Sequence, residues 1–439
     1  MKVLKFGGTS VGSAQRMKDV AKLITDGEQK IVVLSAMSGT TNSLLEIADY
    51  LYKQNNDGAL DKIAALEQKY EAVIGELYSE GSYHAKASDV LKERFGVLRE
   101  LAHSKKLFSS IEEKVVVAQG ELTSTALVNL YLQEQGVKST LLAALDFMKT
   151  DRNGEPDMAY IKEQINRVLS ENEGYEIYIT QGFICKNAYG ETDNLQRGGS
   201  DYSATILGAA VGASEIQIWT DIDGMHNNDP RFVEGTKPVA ELHFEEAAEL
   251  AYFGAKILHP TCVLPAKQAN IPVKLLNTMD PHAKGTTIST KLIGHEIKAV
   301  AAKDGITAIK IKSGHMLLAY GFLRKVFEIF EQYKTSIDMI TTSEVGVSVT
   351  IDNTKHLEEI VNELRKFGTV TVDKDMVIIC VVGDMDMQNT GFQSKVVHAL
   401  REIPVRMISY GGSNYNVSFL VSAEHKTDAL KALSAELFN

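Results

Sequence analysis

The sequence predicts an α/β protein in which a mainly parallel β-sheet is covered by helices on both faces and is followed by a smaller, repeated region. Continuous apolar segments alternate with helical segments over the first two-thirds of the chain, and this order changes after about residue 290. Continuous apolar strands that alternate with helices are typical of a parallel sheet buried on both faces. A chain of 439 residues also exceeds what one hydrophobic core supports, so we expect more than one domain.

Strands, glycine-rich turns and helices follow one another from the N-terminus. A short apolar strand at residues 3–6 leads into a Gly-Gly turn and then into a helix at residues 14–24. Residues from about 60 to 117 carry two apolar stripes at helical spacing, which predicts a helical elaboration that contributes core rather than function. Further strands are predicted at residues 31–34, 139–142, 176–180, 215–219 and 271–276.

The C-terminal third predicts two copies of one α+β module. A βαββαβ order covers about residues 304–374, and residues 375–439 repeat it without a fourth strand. Residues 295–303 precede the first copy and could supply the missing strand. We therefore predict an internal repeat in which the first module is inserted into the second. The corresponding domains are residues 1–292 and 293–439.

Composition and charge exclude several classes of partner. A formal net charge of −11 argues against nucleic acid or an anionic membrane as a general partner. The cysteines, Cys185, Cys262 and Cys380, are far apart and outside any CxxC or Cys/His cluster, so we expect buried, reduced thiols. The N-terminus lacks the apolar core of a signal peptide and no apolar run reaches membrane-spanning length. These features favour a cytoplasmic protein.

Residues 196–201, Gln-Arg-Gly-Gly-Ser-Asp, concentrate groups that bind small anions. The two glycines let the backbone approach a ligand closely, and Arg197 offers a planar fork for a carboxylate or a phosphate. Ser200 or Asp201 could cap the helix that follows, which would place a ligand at the positive helix end. An ordinary turn into a helix with a solvated arginine is the alternative.

Neither of the common nucleotide motifs is present. The sequence has no GxxxxGK[ST] loop and no GxGxxG followed by an acidic residue, so phosphate would have to be bound differently. Lys5 precedes Gly7 and Gly8, whose backbone N–H groups can hold phosphate oxygens at a strand end. A lysine beside two glycines is a weak signal when it stands alone.

Other candidate residues are each ambiguous when taken singly. Glu121 is predicted to open a helix that runs through Leu130, where an acid commonly complements the helix dipole. Lys256 lies near a proline-terminated helix and could be solvated. The pairs Thr220-Asp221 and Asp229-Arg231 bracket a loop that could be plain turn chemistry.

Taken together, these motifs resemble the aspartokinases, a branch of the amino acid kinase family, across essentially the whole chain. The C-terminal repeat resembles the paired ACT modules that form the regulatory part of those enzymes. The fold implied for the first domain is a three-layer αβα sandwich. The motifs are Lys5-Phe6-Gly7-Gly8-Thr9-Ser10, Ser35 with Thr41-Asn42, Gly120-Glu121, Arg197-Gly198-Gly199-Ser200-Asp201, Thr220-Asp221, Asp229-Pro230-Arg231 and Phe253-Gly254-Ala255-Lys256.

The resemblance implies transfer of the γ-phosphoryl group of ATP to the side-chain carboxylate of aspartate, with Mg²⁺ bridging the phosphates. A carboxylate with a reference pKa of ~3.9 is already ionised at neutral pH, so the reaction requires no general base. Catalysis must then come from positioning two anions and neutralising charge in the transition state. No protein cluster dedicated to a metal is expected.

The same resemblance assigns a role to each candidate residue. Lys5 and Asp201 are implied to be catalytic, with Asp201 orienting Lys5 and substrate rather than removing a proton. His226 stands where many relatives have a tyrosine in the nucleotide loop. The implied substrate-binding residues are Ser35, Thr41, Glu121 for the α-ammonium, Arg197 for the α-carboxylate, and Ser200. The implied nucleotide-binding residues are Lys5, Gly7, Gly8, Thr220, Asp221, His226, Arg231 and Lys256.

The first ACT-like module is similar to that of the lysine-inhibited form of the enzyme. Asp338 could pair with the ammonium of lysine, although an exposed aspartate at a strand end is the alternative. Ala319 stands where that form has a serine. ACT effectors commonly bind between modules of two chains, so the resemblance also implies a homodimer. The implied effector-binding residues are Met316, Gly321, Phe322, Leu323, Ser336, Ile337 and Asp338.

Two other functions remain open from the sequence. Another amino acid kinase, one that phosphorylates glutamate or acetylglutamate, would use similar motifs. A protein of a different class, a catalytically silent amino-acid sensor, would keep the ACT pair and control a partner. The presence of Lys5, Arg197 and Asp201 argues against the silent sensor.

Overall fold

A computed structural model of the chain describes residues 1–195, 198–254, 258–291, 294, 296–313, 320–386 and 388–438. These residues form two compact units. The first comprises Met1–Gly224 and Ile257–Thr290, and the second comprises Met225–Lys256 and Lys291–Asn439. The segment Met225–Lys256 therefore packs within the second unit although it interrupts the first in sequence. The domain boundary at residues 292 and 293 stays a prediction.

The described residues form the following strands and helices. The strands are β1 (Lys2–Phe6), β2 (Lys30–Leu34), β3 (Ser139–Leu142), β4 (Ile177–Gln181), β5 (Ile184–Lys186), β6 (Thr192–Asn194), β7 (Ile216–Thr220), β8 (Glu241–His243), β9 (Val273–Asn277), β10 (Thr286–Ser289), β11 (Ile297–Lys312), β12 (Ile340–Ser343), β13 (Gly346–Ile351), β14 (Thr369–Gly383), β15 (Val405–Tyr410) and β16 (Asn416–Ser422). The helices are α1 (Ala14–Ile24), α2 (Thr40–Tyr52), α3 (Asn56–Leu77), α4 (Ser82–His103), α5 (Ser110–Glu134), α6 (Met158–Glu171), α7 (Gly199–Val211), α8 (Phe244–Tyr252), α9 (Leu264–Gln268), α10 (Phe322–Gln332), α11 (Leu357–Leu364), α12 (Phe392–Ala399) and α13 (Lys426–Leu437).

The first unit is built on a mainly parallel sheet, as predicted. Its strands follow the order β3-β4-β2-β1-β7-β9-β10, with β10 antiparallel to β9. Strand β1 lies between β2 and β7, and Lys5 is in register with Val33 and Ile218. The carboxyl ends of parallel strands meet at one edge of a sheet, where ligands bind in open α/β folds. The chain therefore places the end of β1 at the middle of that edge.

The helical elaboration consists of α3 and α4, which lead into α5. Helix α5 begins at Ser110, where Ser109 and Glu112 form a capping box. The prediction that a helix opens at Glu121 is therefore wrong, because the helix begins eleven residues earlier and Glu121 occupies its middle. Glu121 is only 2% exposed. An acid in that position cannot act as a first-turn complement to the helix dipole.

The second unit contains one six-stranded antiparallel sheet in the order β12-β13-β11-β14-β16-β15. Strands β11 and β14 pair along almost their whole length, so each serves both modules. The early part of β11 supplies the strand that the second copy lacks, with Ala301 opposite Cys380. The predicted insertion of the first module into the second is therefore confirmed. Register shifts between Lys303 and Ile306 let β11 pass between the modules without a turn.

Helix α8 is built into the second unit. Its Glu249 accepts a hydrogen bond from the amide of Asn416 on β16, and His243 at its N-terminus stacks on Tyr415 with ring centroids 5.2 Å apart. Beyond the helix, a Cβ on Gly254 would lie 2.2 Å from the carbonyl oxygen of Ala302. Only glycine permits this close approach to β11, so the chain after α8 is held against that strand.

Candidate active site

Lys5 and Asp201 form an ion pair at the carboxyl edge of the first unit's sheet. The Lys5 Nζ lies 2.5 Å from the Asp201 Oδ1, and the two side chains are 12% and 17% exposed. Lys5 reaches this point from the end of β1, and Asp201 lies in the first turn of α7. A cation held at this edge by one carboxylate can also attract a second anion, such as a phosphoryl group.

A chain of hydroxyl groups connects the end of β2 and the first turn of α7 to Glu121. The Ser35 Oγ donates to the Ser200 Oγ at 2.9 Å, and the Ser200 Oγ donates to the Glu121 Oε1 at 2.9 Å. The Ser124 Oγ donates to the carbonyl of Ser35 at 2.8 Å, which fixes the loop after β2 on α5. The second oxygen of Glu121 has no hydrogen-bond partner among the described residues. That oxygen is available to a donor from a ligand.

Burial controls the protonation of Glu121. The loss of hydration raises the pKa of this carboxyl from 4.5 to about 8, although the Ser200 hydroxyl and the charge of Lys5 oppose the shift. Burial therefore favours a protonated Glu121 at neutral pH. A ligand ammonium at the open oxygen would favour the ionised form and release the proton.

Two glycines allow the polar groups to come together. A Cβ on Gly182, which follows β4, would lie 2.1 Å from the Ser200 Oγ. Gly198 has a left-handed backbone with φ of +69°, and a Cβ there would lie 1.9 Å from the Cys262 Sγ. The start of α7 is therefore packed so closely that neither position tolerates a side chain without displacement.

A cavity of about 450 Å³ opens between these groups. It brings together residues that the sequence predicts as site residues, and Phe183 provides an apolar wall. The Gly7 amide donates to the Trp219 carbonyl at 3.4 Å, whereas a Cβ on Gly8 would lie 2.9 Å from the Ala36 carbonyl oxygen. The predicted site residues that line the cavity are Gly8, Ser35, Thr41, Glu121 and Ser200.

The predicted nucleotide residues are divided between the two units. Thr220 ends β7 in the first unit, and its hydroxyl donates to Asp221 at 3.1 Å. In the second unit, the His226 Nδ1 lies 2.9 Å from the hydroxyl of Thr236. The Arg231 guanidinium contacts both carboxylate oxygens of Asp229, with its Nη2 at 2.6 Å from Oδ2.

The predicted effector residues lie around the start of α10 and the loop before β12. Gly321 caps α10 with a left-handed φ of +82°, Phe322 is buried and Leu323 is 38% exposed. Ser336 and Ile337 lie before β12, which begins at Ile340. Asp338 has a fully buried side chain, which excludes the alternative of an exposed aspartate.

Three of the predicted site residues, Arg197, Lys256 and Met316, lie outside the described residues, as does Ala319. Within the described part of the chain, no cluster of His, Cys, Asp or Glu is arranged to hold a metal ion. A search of the described helices finds none long and apolar enough to cross a membrane.

Sequence reasoning missed two residues that support the site. Ser124 lies one helical turn after Glu121 on α5, a spacing that could have identified it. Cys262 is distant in sequence from the loop that it supports, so no local signal indicates it. All three cysteines are buried, as predicted, and burial raises the pKa of the Cys262 thiol to about 12. Cys262 therefore acts as a neutral packing group.

Two family models match this chain and define the class of protein to which its fold and site belong. Residues 1–277 match the amino acid kinase family, and residues 379–437 match an ACT domain. The first match covers the glycine turn after β1, the Lys5–Asp201 pair and the cavity beside it. The second covers the later half of the repeat in the second unit.

Full-length relatives specify the branch of that family. The chain is 36% identical to the lysine-sensitive aspartokinase 3 of Escherichia coli, over 99% of this chain and 99% of that protein. It also matches crystal structures of E. coli aspartokinase III over 100% of both chains. The complex with aspartate and ADP has a TM-score of 0.84 at 33% identity, and the complex with lysine and aspartate has 0.81 at 34%. The chain therefore belongs to the amino acid kinase family and, within it, to the aspartokinases.

Proposed function

We propose that this chain transfers the γ-phosphoryl group of ATP to the β-carboxylate of L-aspartate, which gives 4-phospho-L-aspartate. Formation of this acyl phosphate is the first step in the synthesis of lysine, threonine and methionine. The observation that carries the proposal is the Lys5–Asp201 ion pair beside a cavity lined by Ser35, Glu121 and Ser200. The E. coli relative crystallised with aspartate and ADP supports this choice of ligands.

The reaction needs charge neutralisation rather than proton removal. The β-carboxylate of aspartate is ionised at neutral pH, so it can attack the γ-phosphorus directly. Lys5 is the cation that would balance the charge on the transferring phosphoryl group. Asp201 holds Lys5 in place through the 2.5 Å ion pair and takes no proton from the substrate. The amides of the Gly7-Gly8 turn lie at the same strand end, where Gly8 is the better placed donor because Gly7 already bonds Trp219.

The α-amino and α-carboxylate groups of aspartate orient the substrate. Glu121 offers its open oxygen to the α-ammonium, and Arg197 is proposed to bind the α-carboxylate in a bidentate pair. Ser35, Thr41 and Ser200 supply hydroxyl groups to the remaining oxygens. The two carboxylates of the substrate are thereby distinguished, because only one of them is directed toward Lys5.

ATP is proposed to bind through Thr220, Asp221, His226, Arg231 and Lys256. Mg²⁺, when bound with ATP, would neutralise charge on the phosphates. Most ligands of this magnesium ion would come from phosphate and water. The residues of this chain then position the two substrates and supply further positive charge.

Lysine is proposed as the feedback inhibitor, acting through the first ACT module in a homodimer of a cytoplasmic protein. The E. coli relative is named lysine-sensitive, and one of its structures contains lysine. Asp338 presents a buried carboxylate oxygen that has no partner among the described residues and could accept from the lysine ammonium.

A hydroxamate assay tests the function. Purified enzyme with Mg-ATP is offered aspartate, glutamate or acetylglutamate, and the acyl phosphate is trapped with hydroxylamine. We expect product with aspartate alone, and inhibition by millimolar lysine but not by threonine or methionine. Product with glutamate or acetylglutamate but not aspartate would identify a different amino acid kinase. No product with any of them would support a silent sensor.

A further inference from the structure

Asp338 belongs to a cluster of four side chains in the second unit, with Tyr252, Lys303 and Asp352. The Tyr252 hydroxyl donates to the Asp338 Oδ1 at 2.7 Å, and the Lys303 Nζ lies 2.7 Å from the same oxygen. Lys303 also lies 2.9 Å from the Asp352 Oδ2 and 4.3 Å from the centre of the Tyr252 ring. The Asp338 side chain is 0% exposed, and that of Lys303 is 18% exposed.

The charge of this cluster is complementary to one further cation. Asp338 and Asp352 carry two negative charges, and Lys303 carries one positive charge. The hydrogen bond and the burial that raise the pKa of Tyr252 to about 12 keep its phenol neutral. The Asp338 Oδ2 is buried without a hydrogen-bond partner among the described residues. A buried carboxylate oxygen without a donor is unfavourable, so an ammonium group would stabilise the cluster.

The buried geometry decides which donor an incoming ammonium would displace. Because the Asp338 side chain is fully covered, a new ligand must move one of the groups around it. Lys303 is held by two carboxylates and by the Tyr252 ring. The Tyr252 hydroxyl has Asp338 as its hydrogen-bond acceptor, and Tyr252 is 41% exposed overall, so its ring has space to move. We therefore expect an incoming ammonium to displace Tyr252, rather than Lys303, from Asp338.

Tyr252 also connects this cluster to the segment predicted to bind phosphate. It is the last residue of α8, and Gly254 packs against the Ala302 carbonyl directly beside Lys303. Lys256, which is proposed to approach the phosphates of ATP, follows Tyr252 by four positions in the sequence. Tyr252 is therefore close in the sequence to a residue with a proposed role in nucleotide binding.

We propose that the hydrogen bond from Tyr252 to Asp338 is a latch that is closed in the effector-free enzyme and opened by the ammonium of the effector. The inference rests on the proposed function, because it takes lysine as the effector of Asp338. Lysine then stabilises the conformation in which Tyr252 has left Asp338 at the expense of the conformation in which this hydrogen bond is made. Tyr252 is a positioning residue in this scheme and touches neither substrate.

The test compares lysine binding in the full-length wild type with that in a Tyr252→Phe variant, using calorimetry and inhibition of the aspartate-dependent reaction. Removal of the hydroxyl destabilises only the latched conformation. We expect lysine to bind about tenfold more tightly, with a matching fall in the half-inhibitory concentration, since a hydrogen bond to a charged group is worth roughly that factor. A purely structural defect would not tighten lysine binding.

Two further variants separate the possible outcomes. Tyr189→Phe alters a tyrosine that is 79% exposed, and it should leave the lysine dissociation constant within twofold of wild type. Asp338→Asn should abolish most lysine binding. An unchanged or weakened affinity in Tyr252→Phe overturns the latch while leaving lysine as the effector. Full lysine affinity in Asp338→Asn, or no lysine binding by wild type, overturns the effector site and the latch together, whereas the aspartate assay still tests the catalytic proposal.

Discussion

The Lys5 ammonium lies 2.5 Å from the Asp201 carboxylate, so the cation proposed to act on phosphate is held by a residue from a distant part of the chain. Neither side chain is more than 17% exposed. The pair therefore lies in surroundings where charge interacts more strongly than in bulk water. Its removal should affect both the chemistry and the local electrostatics.

Lys5→Met should reduce kcat by about 10²–10³-fold, because a positioned charge at the transferring group is lost. Lys2→Met is the matched control, since Lys2 belongs to the same strand and pairs with Glu28 at the surface. That control should stay within about twofold of wild type. Steady-state kinetics with aspartate and Mg-ATP measures both variants. A Lys5→Met enzyme within a few-fold of wild type would contradict the mechanism.

Substrate binding should depend on the ionisation of Glu121. Because burial raises its pKa to about 8, binding of the substrate ammonium below that pH must expel a proton. The KM for aspartate should therefore fall as the pH rises toward 8. Glu121→Gln should raise this KM and remove the pH dependence. A KM profile in wild type that is flat between pH 6 and 8 would count against the assignment.

Glu121 should also affect stability as a function of pH. The unfolded carboxyl titrates near 4.5 and the folded one near 8, so folding takes up a proton between these values. The stability that this residue contributes at low pH is then lost as the pH rises from about 4.5 to 8. Glu121→Gln should be more stable than wild type at pH 8.5, by up to roughly 4 kcal/mol, and this advantage should shrink toward pH 5. Urea unfolding at both pH values measures the difference.

Gly198→Ala should destabilise the first unit for two separable reasons. The left-handed backbone costs about 1 kcal/mol for alanine, and the clash with the Cys262 Sγ adds roughly 1–3 kcal/mol. Gly212→Ala is the matched control, because Gly212 has φ of +62° and no atom within 4 Å of an added Cβ. In the double variant Gly198→Ala/Cys262→Ala, the part of the unfolding free energy that is lost to the clash should be recovered, and the part lost to the left-handed backbone should not. Equal unfolding free energies for Gly198→Ala and Gly212→Ala would refute the clash.

Gly182→Ala should impair aspartate binding, because the new methyl group would displace the Ser200 hydroxyl and disturb Glu121. We expect the KM for aspartate to rise about tenfold or more, which corresponds to roughly 1.4 kcal/mol. Gly75→Ala is the control, since a Cβ on this residue of α3 meets nothing within 4 Å. Aspartate saturation curves measure the KM of both variants. A normal KM in Gly182→Ala would contradict the proposed contact between Ser200 and the substrate.

Local patterns predicted most of the fold. The predicted helix at residues 14–24 matches α1, and the predicted strands of the main sheet match β1, β2, β3, β4, β7 and β9 within two residues at each end. These elements are bounded by strong signals such as glycine turns and runs of apolar residues. The sequence predicts a helix start at Glu121, which is too late for α5, because the small and polar residues of α5 obscure its apolar periodicity. The capping residues Ser109 and Glu112 mark its actual start.

The sequence by itself determined the class of fold, the inserted repeat and the identity of the residues at the strand ends, because these depend on periodicity and on residues close together in the chain. Only the tertiary structure decided which of these residues come into contact. It brought Asp201 to Lys5, closed the hydroxyl chain from Ser35 to Glu121, and buried Asp338 against Lys303 and Tyr252. It also placed Met225–Lys256 in the second unit. Burial and long-range contact set the protonation of Glu121, and neither can be read from a single stretch of sequence.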